Sequence, residues 1–330
     1  MCTNVSIAYR PIGSPLVSAR TMDWTEKFHS IVNYVPRGQK FPEQKPTAEI
    51  RWRNKYGFIG VGNKYPELPF LYHDGLNEKG LSAAALYLAC TKYPDPKPHI
   101  PMLYNANVVS YVLGNFKKVQ EVKTAFSRIT VVDVAESAPE LYIPFHFIIS
   151  DAFGGHLILE YIDGKLQSYD SKIGVLTNQP ALDWHLTNLS QYEQLTLEDK
   201  DNVVCEQEVT GSGQLGIPGD PTPPSRFVRA AFLSQSAFKR ENVQESIGLA
   251  RQIIQNLSVP MGTVILKSGR MDWSQWVVIR DHTRCSYYFY TDFNSKLYGL
   301  HLNELSFRGR KQKHINIEQP DWYEDITKVF

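Results

Sequence analysis

The sequence predicts an α+β fold in which antiparallel sheet layers are covered by helices. Two observations carry that expectation. Strand-like runs fill the N-terminal third and return near the C-terminus, and the helical stretches between them alternate with apolar hairpins. With 330 residues, 42% of them hydrophobic and 21% charged, the chain can bury a sizeable core. Its 35 Lys and Arg against 34 Asp and Glu leave a formal charge of +1, so no global field attracts nucleic acid or an anionic membrane.

Strands are expected over 4–9, 16–20, 31–35, 58–61 and 82–88, with Pro11-Ile12-Gly13 and His73-Asp74-Gly75 as turn punctuation. Residues 105–116 read as a helix because Val108, Val109, Val112, Leu113 and Phe116 form one stripe, and 119–126 repeats the period. Apolar strands over 145–149 and 157–161 flank Asp151-Ala152-Phe153-Gly154-Gly155, which is hairpin chemistry. Helices follow over 182–195, 224–237 with proline in its first turn, and 241–257. Strands close the chain at 275–279, 286–290 and 296–300. The polar, Gly/Pro-rich stretch 198–222 is too long for an ordinary connection and reads as an assembly arm or a lid. With no internal repeat and no linker, residues 1–330 are expected to form a single domain.

No run approaches the ~18 apolar residues of a membrane helix. The opening Met1-Cys2-Thr3-Asn4-Val5-Ser6 lacks the basic start and apolar run of a secretory leader, so a cytoplasmic chain with its mature start next to Met1 is expected. Cys2, Cys90, Cys205 and Cys285 are scattered, which speaks against a disulfide framework or a zinc site. His73, His146 and His185 read as structural or solvent-facing, Asp272 and Asp281 have no obvious acid partner, and 308–313 reads as a solvated basic face.

Cys2 carries the chemistry. Removal of Met1 would leave a thiol and a free α-amine on one residue, and their ordinary pKa values lie within about one unit, so a proton passes between them at little cost. Such a nucleophile needs a cation to favour thiolate, an acceptor to hold the amine and donors for an oxyanion. Arg20 and Asp23, in Ser18-Ala19-Arg20-Thr21-Met22-Asp23-Trp24, could return beside it through a hairpin, although such a pair is also a common surface salt bridge.

Five ordered blocks resemble the choloylglycine hydrolase family of N-terminal-nucleophile amidohydrolases, which holds bile salt hydrolases and penicillin V acylases. They are Met1-Cys2-Thr3; Ala19-Arg20-Thr21-Met22-Asp23-Trp24; Asp74-Gly75-Leu76-Asn77-Glu78-Lys79-Gly80-Leu81; Gly174-Val175-Leu176-Thr177-Asn178-Gln179-Pro180; and Leu215 to Asp220 with Ser225-Arg226-Phe227-Val228-Arg229. The resemblance implies an αββα sandwich of two stacked antiparallel sheets between helical layers, and hydrolysis of a linear non-peptide amide. It makes Cys2 the nucleophile and its amine the base, with Arg20 favouring thiolate and Asp23 anchoring the amine. Asn178 would give its side-chain N–H, and Tyr87 its backbone N–H, to the oxyanion, while Arg226 would sit against the thiol. It implies no metal or organic cofactor. It also implies a homotetramer held by the 198–222 excursion.

Substrate choice rests on Tyr87, which lies where bile salt hydrolases usually carry Asn and penicillin V acylases often carry an aromatic. With Trp24 it would wall a phenoxyacetyl group, and Met22 would line the same pocket, unless these side chains are only core. Penicillin V therefore ranks first, a conjugated bile salt second and an N-acyl homoserine lactone third. The rival class is a catalytically inactive binding protein with the same fold, which a chain retaining Met1 would resemble.

Overall fold

The strands Cys2–Ser6 and Trp273–Asp281 are buried at every position, and Val17–Trp24 at all but the last. A strand reaches that state only when both faces of its sheet are covered, one by a second sheet and the other by helices. The computed structural model describes residues 1–7, 16–42, 49–65, 68–134, 143–200, 203–204, 207–208, 210–236, 242–309 and 311–327. The expected turn at Pro11-Ile12-Gly13, the ends of the strand and helices at Tyr9, Ala237 and Glu241, Cys205 and Arg310 lie outside them.

One sheet has five strands in the order Cys2–Ser6, Val17–Trp24, Trp273–Asp281, Ser286–Thr291, Tyr298–His301. The other has eight, in the order Lys165–Asp170, His156–Ile162, Phe145–Ser150, Ser82–Tyr87, Leu68–Asn77, Phe58–Tyr65, Ile31–Val35, Lys313–Asn316. Every pairing within these two sheets is antiparallel.

Helices α1 (Val108–Asn115) and α2 (Val119–Phe126) cover the outer face of the eight-stranded sheet, where Val109, Val112, Val122 and Phe126 meet Ala83, Phe147 and Leu159. Helix α3 (Leu182–Leu189) follows. Helices α4 (Pro223–Ser236) and α5 (Val243–Leu257) cover the outer face of the five-stranded sheet. In α5 the residues Ile247, Ala250, Ile254 and Leu257 recur on one stripe, and the Asn242 side chain caps the helix by accepting from the Glu245 N–H at 2.8 Å. The architecture is thus an αββα sandwich. Among the described residues no helix is long and apolar enough to cross a membrane.

Three sequence expectations need correction. The first strand starts at Cys2 instead of Asn4, because Cys2 and Thr3 already pair with Met22 and Thr21. The helix expected over 182–195 stops at Leu189 and tightens into a 3-10 turn at Ser190–Tyr192, where no residue is buried. His73-Asp74-Gly75 is not a turn but the interior of the Leu68–Asn77 strand. Aspartate survives there because two arginines and a tyrosine meet its carboxylate. Glycine is required because a Cβ at position 75 would lie 2.5 Å from the Leu113 side chain of α1 and 2.7 Å from the Ile59 carbonyl.

Candidate active site

Cys2–Ser6 is the edge strand of its sheet, and both of its flanks are used. On one side the antiparallel register sets Cys2 opposite Met22 and Asn4 opposite Arg20. On the other, Asn4 exchanges backbone hydrogen bonds with Leu176 at 2.7 and 3.1 Å, and the Ser6 N–H donates to the Gly174 carbonyl at 3.1 Å. The segment 174–178 therefore runs antiparallel along the open edge, which removes an exposed edge and carries Asn178 to Cys2.

On the face between the sheets, the Cys2 thiol is almost wholly buried, with the Met22 sulfur 3.8 Å away and the Asp23 carbonyl 3.9 Å away. Arg20, fully buried, points its Nη2 at the Cys2 sulfur from 3.7 Å while donating to the Ala85 carbonyl at 2.7 Å. Its guanidinium also lies 5.0 Å from the Trp276 ring centre. Behind it stands Asp74, 3.9 Å from Arg20 Nη1, accepting from Arg280 Nη1 at 3.2 Å and from the Tyr287 hydroxyl at 2.9 Å. Burial pushes the Asp74 carboxyl up, and Arg280 and then Arg20 pull it back.

On the opposite, helix-facing side of the same strand, Arg226 of α4 donates to the Cys2 carbonyl at 2.8 Å, to the Thr3 hydroxyl, and through Nη2 to Asn178 Oδ1 at 2.9 Å. Arg226 is therefore bonded to the backbone of Cys2 and also feels the charge of its thiol, while Arg20 points a guanidinium nitrogen straight at the sulfur. The Cys2 N–H also donates to Asn178 Oδ1, at 2.7 Å, and Asn178 Nδ2 donates to the Tyr87 carbonyl at 2.7 Å. Two donors on the oxygen and one acceptor on the nitrogen leave the amide a single orientation. The two residues assigned to the oxyanion are thus bonded to each other, and one of the two Asn178 N–H groups is already engaged.

Asp23 accepts from the Ser274 hydroxyl at 2.6 Å through Oδ1, while its Oδ2, 3.9 Å from Arg226, is buried with no hydrogen-bond partner. Burial raises the Asp23 carboxyl; the N-terminal ammonium, Arg226 and Ser274 oppose that rise. The ammonium of Met1 donates to the Asp23 carbonyl and to Asp272 Oδ2, each at 3.0 Å, so Asp272 has a partner that the sequence did not suggest.

Two histidines missed as site residues hold the Asn178 segment from behind. His146 places Nδ1 2.8 Å from Glu160 Oε1 and Nε2 3.1 Å from the Thr177 carbonyl. Glu160 Oε2 accepts from the Leu182 N–H at the start of α3, at 3.0 Å. His185 places Nε2 2.9 Å from the Asn178 carbonyl and stacks on Phe227, the neighbour of Arg226, at 4.7 Å. Burial pushes His185 below the ordinary imidazole value, so the neutral ring carries its proton on Nε2. All these side chains are buried, so the solvent-facing alternative is excluded.

A cavity of about 360 Å³ opens beside the thiol, between the sheets. Cys2, Arg20 and Met22 form its polar end, and Trp24, Phe28, Tyr65, Tyr87 and Phe145 its aromatic walls. The Trp24 and Tyr87 rings meet at 5.5 Å and 59°. Among the described residues no cluster of three or more His, Cys, Asp or Glu could hold a metal ion.

His73 lines the same cavity, and burial, with Arg20 adding to it, holds its pKa down to about 3. The unfolded ring titrates near ~6.5, so below that pH the unfolded chain binds a proton that the folded chain refuses. Stability from this group is complete above ~6.5 and is lost as pH falls toward the folded value, at up to about 1.4 kcal/mol per pH unit. Urea unfolding should therefore show a shallower acid decline for His73→Phe than for the parent chain between roughly pH 6 and pH 4. Parallel declines would show that the ring is already paired or solvated.

Known proteins resemble this chain over nearly its whole length. The family model for linear amide C–N hydrolases of the choloylglycine hydrolase family matches residues 2–320. A bile salt hydrolase/transferase of Clostridium perfringens is 32% identical over 325 residues, 95% of this chain and 96% of the relative. A solved structure of a variant of conjugated bile acid hydrolase from that organism superposes with a TM-score of 0.85 at 26% identity, covering 99% of this chain and 100% of the other. The structure of penicillin V acylase from Agrobacterium tumefaciens gives 0.80 at 27% identity, covering 96% and 91%.

Proposed function

The chain belongs to the choloylglycine hydrolase family of linear amide C–N hydrolases, and from that premise we propose that it removes aryloxyacyl groups of the penicillin V type through Cys2. The observation that carries the substrate class is the pair of rings, Trp24 and Tyr87, beside the thiol in a cavity walled by further aromatics.

The reading requires that the bond to Met1 be cut, since an amide nitrogen accepts no proton. The freed α-amine then takes the thiol proton, and the thiolate, 3.7 Å from Arg20, attacks the substrate carbonyl. The remaining Asn178 N–H and the Tyr87 backbone N–H are the donors we assign to the oxyanion. Collapse expels the amine, which leaves with the proton the ammonium returns, and a thioester remains on Cys2. Water, deprotonated by the same α-amine, releases the acid and restores the thiol. Arg226 holds Asn178 and the Cys2 carbonyl, and Asp23 is the residue we assign to anchor the freed α-amine.

A second reading, hydrolysis of conjugated bile salts, is favoured by the 32% identity to a bile salt hydrolase/transferase. Assays of penicillin V and a glycine-conjugated bile salt in parallel, on protein whose intact mass shows loss of one methionine, separate the two. We expect the higher kcat/KM on penicillin V; preference for the bile salt reverses the order, and inertness toward both with Met1 gone overturns both substrate readings. We further read the chain as a cytoplasmic homotetramer. The exposed Leu197 just before the 198–222 arm, the exposed Leu215 within it and the free thiols Cys2, Cys90 and Cys285 support this, and a monomer on gel filtration would count against it.

A further inference from the structure

The cavity is lined by Arg20, Glu26, the phenols of Tyr65 and Tyr87 and a set of apolar side chains, and among them stands an imidazole whose nitrogens are unsatisfied among the described residues. His73 is 2% exposed, and among the described residues neither of its ring nitrogens has a hydrogen-bond partner. Phe28 stacks on it at 5.7 Å and 20°, and Phe145 meets it edge-on at 6.0 Å and 86°. It sits on the Leu68–Asn77 strand next to Asp74, so it is carried by rigid sheet, whereas Phe28 belongs to the coil between Trp24 and Ile31 and is only part-buried. Its ring stays neutral at working pH, held so by burial and by Arg20, and therefore offers one N–H donor and one acceptor nitrogen. A buried polar group left unpaired is a standing cost that a ligand relieves by supplying a partner.

We propose that His73 is the specificity-determining residue of the acyl pocket, selecting acyl groups that carry an oxygen on an apolar body over the same groups with a methylene in that place. The inference rests on the amide-hydrolase reading for its assay and deepens it. The oxygen has two plausible sources of one chemistry, the ether of an aryloxyacetyl group or a ring hydroxyl of a sterol acid. Reaching the ring requires the part-buried Phe28 side chain to turn aside.

The test uses two matched pairs: phenoxyacetyl against 3-phenylpropanoyl amides of one amine, and glycine conjugates of a hydroxylated against the corresponding deoxygenated sterol acid. Turnover is read on the mature chain, and binding of the same compounds by calorimetry on a Cys2→Ala chain. We expect the oxygen member of one pair to lead its isostere by roughly 10- to 100-fold, and that ratio to fall toward one in His73→Leu. The pair that shows the lead identifies the source. Partial misfolding of a variant lowers both members alike and leaves the ratio intact, and His73→Asn, which keeps a donor and an acceptor, should retain part of it. A ratio near one in the parent chain, or an unchanged ratio in His73→Leu, overturns the inference. Turnover of neither pair overturns the hydrolase reading while the binding ratio still judges His73, and absence of both turnover and binding overturns both.

Discussion

Replacing Cys2 by alanine is expected to abolish amide cleavage, a loss of roughly 10⁶-fold or to the limit of detection, while leaving the fold in place. The structure explains why the two effects separate. Removing the sulfur takes no essential partner from Arg20, whose Nη2 keeps the Ala85 carbonyl at 2.7 Å. The backbone of residue 2 keeps its bonds to Arg226 and Asn178. Asn178→Ala should act differently. It removes the residue we assign as an oxyanion donor, an expected cost of about 10² to 10³ in kcat, and it also leaves Arg226 Nη2 and the Tyr87 carbonyl without their Asn178 partner, costing about 1 to 3 kcal/mol of stability. Rates normalised to folded protein from urea melts distinguish the two costs. A Cys2→Ala chain that turns over substrate at the parent rate would falsify the mechanism.

The largest stability effect is expected at Asp74, far from any motif that names a nucleophile. Its carboxylate is the shared counter-charge of two fully buried guanidiniums, Arg20 and Arg280, and it also accepts from Tyr287. A buried ion pair adds little net stability when intact, yet losing one member leaves charge stranded in a low dielectric. Asp74→Ala strands two cations at once, so a loss of about 3 to 5 kcal/mol is expected, a large part of the ~5 to 15 kcal/mol that holds a typical domain folded. The midpoint of urea unfolding should fall without a change in slope. Asp74→Asn keeps the shape and one acceptor for Tyr287, and should fall between the two. Because Arg20 also faces the Cys2 sulfur, turnover per folded molecule should drop in both variants; an Asp74→Ala chain within about 1 kcal/mol of its parent would show that the arginines find other partners.

How much of the site could be read in advance depended on how local its signals were. Arg20 and Asp23 stand near Cys2 because their strand pairs antiparallel with the strand that precedes it in the chain, and that proximity is legible in the sequence as two consecutive strand runs. Asn178 and Arg226 were reached only through a resemblance, since no spacing rule links residues so far apart. Arg226 shows the limit of that route, for the resemblance named the residue but not its hydrogen bonds to the Cys2 carbonyl and to Asn178. His146, Glu160 and His185 were passed over because an isolated histidine or glutamate reads the same whether it is solvated or buried behind a backbone carbonyl. His73 and Asp74 were hidden for a further reason: Asp followed by Gly is ordinary turn chemistry, and only the arrival of Arg20, Arg280 and Tyr287 from the other sheet makes those residues tolerable inside a strand.

Apolar periodicity and motif order by themselves pointed to helices over antiparallel sheets and made the second residue the candidate nucleophile, since both readings are written in short-range patterns of apolar side chains and in residue types. What only the tertiary structure decided is which charge faces which atom. The stacking of one sheet on another aims Arg20 at the sulfur, sends Arg226 to the opposite face of the same edge strand, and leaves His73 unpaired in the cavity wall. Side chains on adjacent positions of a strand point to opposite faces, so partners are assigned by register and by the layer that covers each face, and neither is set until the sheets have packed.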